Sequence, residues 1–534
     1  MQQENDSIKL FKGIMVLTIS SVITKILSAV YRVPFQNIVG DIGFYIYQQI
    51  YPIYGIVIAL STSGFPVVIS KMAAERQASG KDEYGSFLRL VFIVLGAVSF
   101  CLFLAVFFGA RRISVWMGDT ALTPLIKTVS CSFLLMPFIS TIRGNFQGRG
   151  NMIPTAVSQV LEQSIRVFLI LILSFWMVHQ GFSLYTTGQA AVFASVLGGA
   201  VSAIVLIFFF HKSRGNREHK LPVQWEEVKT ICRVLLWEGT AICISALLLV
   251  MFQFVDALDI YALLCDSGLD VETAKKLKGI YDRGQPFLQL GTVVATSFAL
   301  TLVPIITLEF KRGNRLQLEQ KVYSAVKIST MIGAGAAVGL MNLMKFANIM
   351  LFENSEGTAV LTVFSISILF STWILTLSGI FQGMGQVYAP AAYIAAGVAL
   401  KFVLNEWWVA RLGTMGAAAA TVVSLLFISL LLMLKLEKAH FKPLPFRFYG
   451  KISLALLMMT GCLQVWMRFF TYSGMPGRMA SIPGALGGVA VGGAVYILCV
   501  AAMGLLSDEE WSFIPFGNKL TGLRRKNWSG KDEP

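Results

Sequence analysis

The stretch Phe146-Gln147-Gly148-Arg149-Gly150 returns as Phe381-Gln382-Gly383-Met384-Gly385, 235 positions later. Each copy lies between long apolar runs, and a proline just downstream (Pro154, Pro390) opens the next one. An echo at equivalent points of two series of hydrophobic segments points to two related helical bundles in a membrane. Internal repeats are a common way to build transporters, with the substrate site at the interface between the repeats.

Composition agrees with a membrane protein. The chain has 534 residues, of which 55% are hydrophobic and 14% charged, and its mean hydropathy is +0.68. A soluble protein of this length needs far more charged surface. At roughly 20 apolar residues per span, about fourteen spans are expected, centred near residues 23, 54, 98, 132, 165, 198, 243, 294, 333, 368, 399, 426, 460 and 494. The predicted fold class is an all-α polytopic membrane protein: two pseudo-symmetric six-helix lobes plus a C-terminal helix pair. The expected division is 1–222 for the first lobe, 223–436 for the second, and 437–534 for the last two spans and a polar tail. Met1 to Ser7 is polar, and the apolar run from Gly13 to Val33 is too long for a signal core, so it reads as the first span.

The net charge of +15 does not indicate nucleic acid. With fourteen spans, most of the 44 Lys and Arg fall on one side, among them Lys71, Arg76, Lys81, Lys212, Arg214, Arg217, Lys220, Lys311, Arg312, Arg315 and Arg524 to Lys526. This bias places both termini in the cytoplasm, and these residues can hold anionic headgroups of membrane lipids. Seven scattered cysteines and four histidines lack ligand spacing, so neither a metal nor a disulfide framework is expected. No GxxxxGK[ST] loop is present. The reading is a transporter and not an enzyme, without cofactor, driven by an ion or substrate gradient.

Charges inside spans are costly, about 2.5–3.5 kcal/mol each on insertion scales, and therefore informative. Lys127 and Lys327 lie near span ends and can snorkel; Lys25, Arg166 and Lys401 are deep. Ser158, Glu162 and Arg166, spaced i, i+4, i+8, form a polar stripe in which Glu162 and Arg166 can pair. That stripe is either a structural ion pair or a cavity wall. Lys25 and Arg32 share a face, with Arg32 at the outer mouth. Tyr45, Gln48, Gln49 and Pro52 make a polar face of the second span, to which Tyr51 and Tyr54 add hydroxyls. Lys401 with Asn405, and Asp282 with Arg283, supply comparable groups in the second lobe, and Glu238 is a further deep acid. The segment from Asp256 to Lys278 reads as an outward-facing, solvated cap, or alternatively a lid over the outer mouth, with a short amphipathic helix from Val271 to Lys278. Cations outnumber acids in this set, so the cavity is expected to attract an anion. Arginine suits phosphate because its planar fork gives paired hydrogen bonds.

Several motifs carry a family resemblance: Phe11-Lys12-Gly13 before the first span, Gly64-Phe65-Pro66 with Ser70-Lys71, both FQGxG copies, and Gly279-Ile280-Tyr281-Asp282-Arg283-Gly284-Gln285-Pro286. With these the chain resembles the polysaccharide-transporter family that includes stage V sporulation protein B and lipid II flippases. That family belongs to the multidrug/oligosaccharidyl-lipid/polysaccharide exporter superfamily. The likeness runs from about residue 8 to residue 505. It implies a V-shaped cavity between two lobes and a bacterial plasma-membrane location. It also implies a polyprenyl-diphosphate-linked saccharide as substrate, moved from the inner to the outer leaflet. Flippases of the family use cavity arginines on the first, second and eighth helices. Arg32 and Arg283 match plausibly, with Lys25 adding a cation in span one, whereas the second span offers only Gln48 and Gln49. The substrate-site expectation is thus Lys25, Arg32, Gln48, Gln49, Glu162, Arg166, Arg283 and Lys401, in a monomer with a possible coupling ion. Alternatives are a cation-coupled multidrug antiporter on the same scaffold, or a non-transporting scaffold in envelope assembly or sporulation.

Overall fold

Apolar runs longer than 18 residues leave the backbone no choice but to satisfy its own hydrogen bonds, and the chain answers with helices throughout. The computed structural model describes residues 16–17, 19–78, 84–213, 225–472, 477–507 and 510. Phe11-Lys12-Gly13, Lys81, Arg214, Arg217, Lys220, Pro222 and the basic tail lie outside the described residues, as does the side chain of Glu238. Twelve segments among the described residues are long and apolar enough to cross a membrane. The first of them, Ile19–Arg76, is 58 residues long and contains two of the expected spans. A further helix, Gly284–Lys311, covers the expected span near residue 294.

The chain order is α1 (19–30), α2 (Arg32–Ala59), α3 (Phe65–Ala78), α4 (Tyr84–Trp116), α5 (Thr123–Ser130), α6 (Met136–Gly148), α7 (Ile153–His179) and α8 (Leu184–Ser213). Then come α9 (Trp225–Arg233), α10 (Gly239–Ala246), α11 (Leu248–Asp266), α12 (Val271–Asp282), α13 (Gly284–Lys311) and α14 (Arg315–Phe352). The last are α15 (Thr358–Ser365), α16 (Ser367–Gly383), α17 (Tyr388–Leu412), α18 (Thr414–Lys438), α19 (Phe446–Tyr472) and α20 (Gly477–Ala502). The helix α2 is interrupted at Gly40 (φ 69°, ψ −177°) and contains Pro52. Between α2 and α3 runs a single π-helical turn, Leu60–Gly64, a feature that frees carbonyls and recurs at functional sites.

Contacts group the chain into two units, Met1–Val293 with Gln386–Ile428, and Val294–Gly385 with Ser429–Pro534. This grouping cuts across the sequence-order division at 222 and 436. Within the first unit α17 packs on α11; within the second, α14 packs on both α16 and α20. There the Tyr496 hydroxyl donates to the Met331 carbonyl at 2.8 Å, tying α20 to α14. The second unit also holds a cavity of about 300 Å³ between the start of α14 and the segment following α18, lined by Tyr323, Phe441 and Tyr449 among others.

The duplicated stretch has one geometry in both units. In α6, a Cβ at Gly148 would lie 2.8 Å from the Ser70 carbonyl of α3; in α16, a Cβ at Gly383 would lie 3.0 Å from the Val303 carbonyl of α13. Gly144 and Gly379, also 235 apart, repeat the approach against the same partners, Ile69 of α3 and Ala299 of α13. Both turns close on a glycine with positive φ, Gly150 at 74° and Gly385 at 77°, a conformation that L side chains avoid. The second span therefore meets the fourth as the eighth meets the tenth, and glycine permits both crossings.

Candidate functional site

All the charged positions singled out in spans one, five, eight and eleven lie in the first unit. Their side chains sort into paired and unpaired groups.

The paired groups come first. Glu162 does not pair with Arg166 as expected from the i, i+4 spacing. Its partner is Arg143 of α6, whose Nη2 donates to Glu162 Oε2 at 2.9 Å. Arg143 is completely buried and spends its other donors on Ser158 Oγ (3.2 Å), Thr62 Oγ1 (3.0 Å) and Ser202 Oγ (2.9 Å). It also reaches the Ser61 carbonyl at 3.5 Å, so it fills the polar gap opened by the π turn. The expected stripe on α7 is thus divided, with Ser158 and Glu162 serving Arg143.

Arg283 is completely buried and donates from Nη2 and Nε to Asp41 Oδ1 at 2.6 and 3.1 Å. Asp41 also accepts from Gln36 at 2.8 Å. The approach of α12 to α2 depends on Gly279, where a Cβ would lie 2.1 Å from the Asp41 carbonyl oxygen. Lys401 is likewise completely buried. Its ammonium donates to Asp256 at 2.8 Å and to Thr421 Oγ1 at 2.6 Å. Its charge is therefore met by a carboxylate on α11.

The solvated cap expected from Asp256 to Lys278 needs correction. Asp256 and Asp259 are buried on α11, which continues as helix to Asp266, and Lys278 is buried and paired with Asp282 at 2.6 Å. The reason is the partner set: Lys401, Asn405 and Tyr281 all converge on these two aspartates. The expected helix from Val271 exists as α12, started by Asp270, which accepts from the Thr273 amide at 2.9 Å. Farther along α12, Lys275 reaches Tyr185 Oη at 2.6 Å and Asp119 at 3.4 Å.

Two cations remain. Arg32 is 0% exposed, inside the fold and not at an open mouth, and none of its three guanidinium nitrogens has a hydrogen-bond partner among the described residues. Its guanidinium lies 4.2 Å from the Tyr51 ring centroid. Arg166 is 1% exposed, with Nε and Nη2 unpartnered and the rings of Tyr54 and Tyr31 at 5.1 and 5.4 Å. The two arginines share one aromatic wall. Tyr31 and Tyr47 meet hydroxyl to hydroxyl at 2.9 Å, and the Tyr47 and Tyr51 rings lie 6.2 Å apart. Cation–π contact offsets about 2 kcal/mol of desolvation at best, whereas a buried ion costs several. The cluster is thus short of negative charge.

Of the remaining expected residues, Lys25 is half-buried on α1. Gln48 and Gln49 are buried on α2, Gln49 donating to the Ala257 carbonyl at 2.9 Å. Each keeps an unpartnered side-chain oxygen. The sequence reading found Tyr51 and Tyr54 on the second span and missed Arg143, Asp41, Tyr31 and Tyr47. The tyrosines were legible as Tyr47, Tyr51 and Tyr54, which follow helical spacing along one face. Arg143 and Asp41 stand near the ends of apolar runs, where a charge carries no signal of depth.

Residues 10–308 match the model of the family described as Polysaccharide biosynthesis protein. The membrane protein YabM of Bacillus subtilis (strain 168) is 44% identical over 526 residues, 98% of each chain. The lipid II flippase MurJ of the same organism is 27% identical, covering 97% of this chain and 99% of that one. A solved structure of the lipid II flippase MurJ in an inward closed conformation superposes with a TM-score of 0.69 at 14% identity, over 92% of this chain and 98% of that one. This chain belongs to the polysaccharide biosynthesis protein family.

Proposed function

We propose that the protein is a flippase for a polyprenyl-diphosphate-linked saccharide, moving it from the inner to the outer leaflet of the bacterial plasma membrane by alternating access. The observation that carries this reading is the pair of buried guanidinium groups, Arg32 and Arg166, that share one tyrosine wall and have no acid partner among the described residues. A diphosphate is the complementary ligand: it brings negative charge and several acceptor oxygens, and arginine binds such oxygens in pairs. The hydroxyls of Tyr31, Tyr47 and Tyr51 and the free oxygens of Gln48 and Gln49 suit the sugar beyond it. Arg283 and Lys401 were expected to bind substrate directly. Because each contacts a carboxylate, we assign them to holding α12 and α17 in place.

The identity to a protein that flips lipid II supports the substrate class. The multidrug antiporter alternative needs a cavity dominated by free acids, and here Glu162, Asp41, Asp256 and Asp282 each meet a cation. Two six-span lobes with both termini cytoplasmic complete the proposal. The test is reconstitution into vesicles carrying a fluorescent polyprenyl-diphosphate saccharide, scored by accessibility to a membrane-impermeant quencher. Wild type should move the lipid, and Arg32→Gln with Arg166→Gln should abolish movement at unchanged protein level. Full movement by the double variant overturns the reading, and no movement by wild type favours the non-transporting scaffold.

A further inference from the structure

The cavity of about 300 Å³ in the second unit lies among helix ends, away from the arginine cluster. Three pieces of chain meet there: the first turns of α14, the last turns of α18, and the segment that leads from Phe441 into α19. Leu316, Tyr323, Val326, Phe441, Leu444 and Tyr449 make its walls mostly apolar. Leu316 is 68% and Tyr449 36% exposed, so the rim reaches the surface. Its volume is at the lower limit of ligand pockets, which suits one or two large side chains and not a whole amphiphile. On one wall Arg315 donates to the Ala439 carbonyl at 2.7 Å and stacks on the Phe441 ring at 4.9 Å. The hollow is therefore held in shape before anything enters it, which lowers the cost of binding.

A second observation points to the occupant. Glu510 is 5% exposed and accepts from Lys327 Nζ at 2.7 Å and from Ser324 Oγ at 2.9 Å, and Ser324 itself lines the cavity. The Ser507 amide donates to Glu510 Oε2 at 2.8 Å and the Glu510 amide to Ser507 Oγ at 3.3 Å. This reciprocal capping box fixes how the chain leaves the anchor. The next residues are Trp511-Ser512-Phe513-Ile514-Pro515-Phe516. Large apolar side chains thus follow directly on a point fixed to the cavity wall, and burying them is favourable in proportion to their area. Charge adds a smaller term. Glu319 and Glu437 lie on the lining with Lys442, and bases follow the apolar run at Lys519, Arg524, Arg525 and Lys526. Arg315 takes Glu319 at 2.7 Å, which leaves Glu437 as the acid open to those bases.

We propose that this cavity is the docking site of the chain's own segment Trp511–Phe516, delivered to it by the Glu510 anchor. The inference does not depend on the flippase reading. A segment tethered beside its site acts at a high effective concentration, so a shallow apolar fit is enough to hold it. Docking ties the first turns of α14 to the end of α18 and the start of α19, elements that otherwise meet only around an unfilled hollow. The rival arrangement leaves Trp511–Phe516 in the membrane interface, where tryptophan is also favoured. The buried Glu510 anchor argues for docking, because it holds the start of the segment against protein and beside Ser324.

The experiment has two arms on the full-length protein in lipid vesicles. In the first, the photo-crosslinker p-benzoylphenylalanine replaces Phe513, and the products are mapped by mass spectrometry after digestion. Crosslinks within one chain to residues 316–326 or 433–449 are expected. Crosslinks to lipid alone place the segment in the membrane interface and overturn the proposal, as do crosslinks to a second copy or to other helices. In the second arm, trypsin cleavage after Lys519 is timed. Cleavage tracks the undocked population when undocking is fast, so a segment docked about nine-tenths of the time is cut about tenfold more slowly than a free one. Gln320 is exposed and lines the cavity, so Gln320→Trp fills the hollow and should remove that protection together with the crosslinks. The double variant Trp511→Ser, Phe513→Ser, which leaves the helices untouched, should be cut at the same fast rate and decides the matter if Gln320→Trp does not fold. A wild-type rate equal to that of the double variant overturns the proposal.

Discussion

Arg32 and Arg143 are both completely buried arginines, yet opposite stability effects are expected when each becomes methionine. Arg143 is a fully used donor. Its removal leaves Glu162 without a counter-charge and Ser202, Thr62 and the π turn without their donor. Breaking one partner of a buried pair costs about 3–5 kcal/mol. Arg32 has three unpartnered nitrogens, each unsatisfied buried group costing about 1–3 kcal/mol, against about 2 kcal/mol at most from the Tyr51 contact. Methionine has similar length and no charge, so Arg32→Met should raise stability by at least about 1 kcal/mol. Unfolding equilibria in mixed micelles, on protein stripped of polyprenyl lipids, measure both. The expected pattern is a loss for Arg143→Met, a gain for Arg32→Met, and loss of diphosphate-lipid binding only in part for the former but wholly for the latter. A destabilisation by Arg32→Met equal to that of Arg143→Met would refute the reasoning, because it would mean that the Arg32 charge is already compensated. The contrast has a functional sense: a site built to bind an anion retains an uncompensated cation at the expense of stability.

Further outcomes follow from other contacts. Gly279→Val should destabilise the first unit and weaken the Arg283–Asp41 pair, since a Cβ there meets the Asp41 carbonyl at 2.1 Å; loss of folded yield with partial recovery in Gly279→Ala is the expected gradation. In the second unit Glu510 bonds Lys327 at 2.7 Å and Ser324 at 2.9 Å. Burial pushes its carboxyl up, but Lys327, the Ser507 amide and Ser324 outweigh this and hold it below the ordinary 4.5. A depressed acid contributes stability above its unfolded value that is lost as pH falls through the folded one. The melting difference between wild type and Glu510→Gln should therefore be full above pH 4.5 and shrink on further acidification; a difference constant with pH counts against the pair. A reporter fused after Pro534 should read as cytoplasmic, and an extracellular reading would reverse the proposed topology.

The sequence by itself determined the class of protein and its repeat. Hydrophobic runs leave the backbone no partner but itself, and the glycines at 144, 148, 379 and 383 sit at a close helix crossing in both copies. The depth of Arg32, Arg166 and Lys401 was also legible, because an isolated cation in an apolar run stands out in one dimension. Which of them is free was not. Glu162 had two candidate arginines, one four residues away on its own helix and one nineteen residues away. The helix crossing of α6 on α7, with the π turn at Leu60–Gly64 beside it, decided for the distant one. Arg283 meets Asp41 across 242 residues and Lys401 meets Asp256 across 145. Pairing between distant segments depends on how helices are placed in three dimensions, which local periodicity does not encode. Only the tertiary structure could therefore separate the paired charges from two arginines that have no acid partner among the described residues.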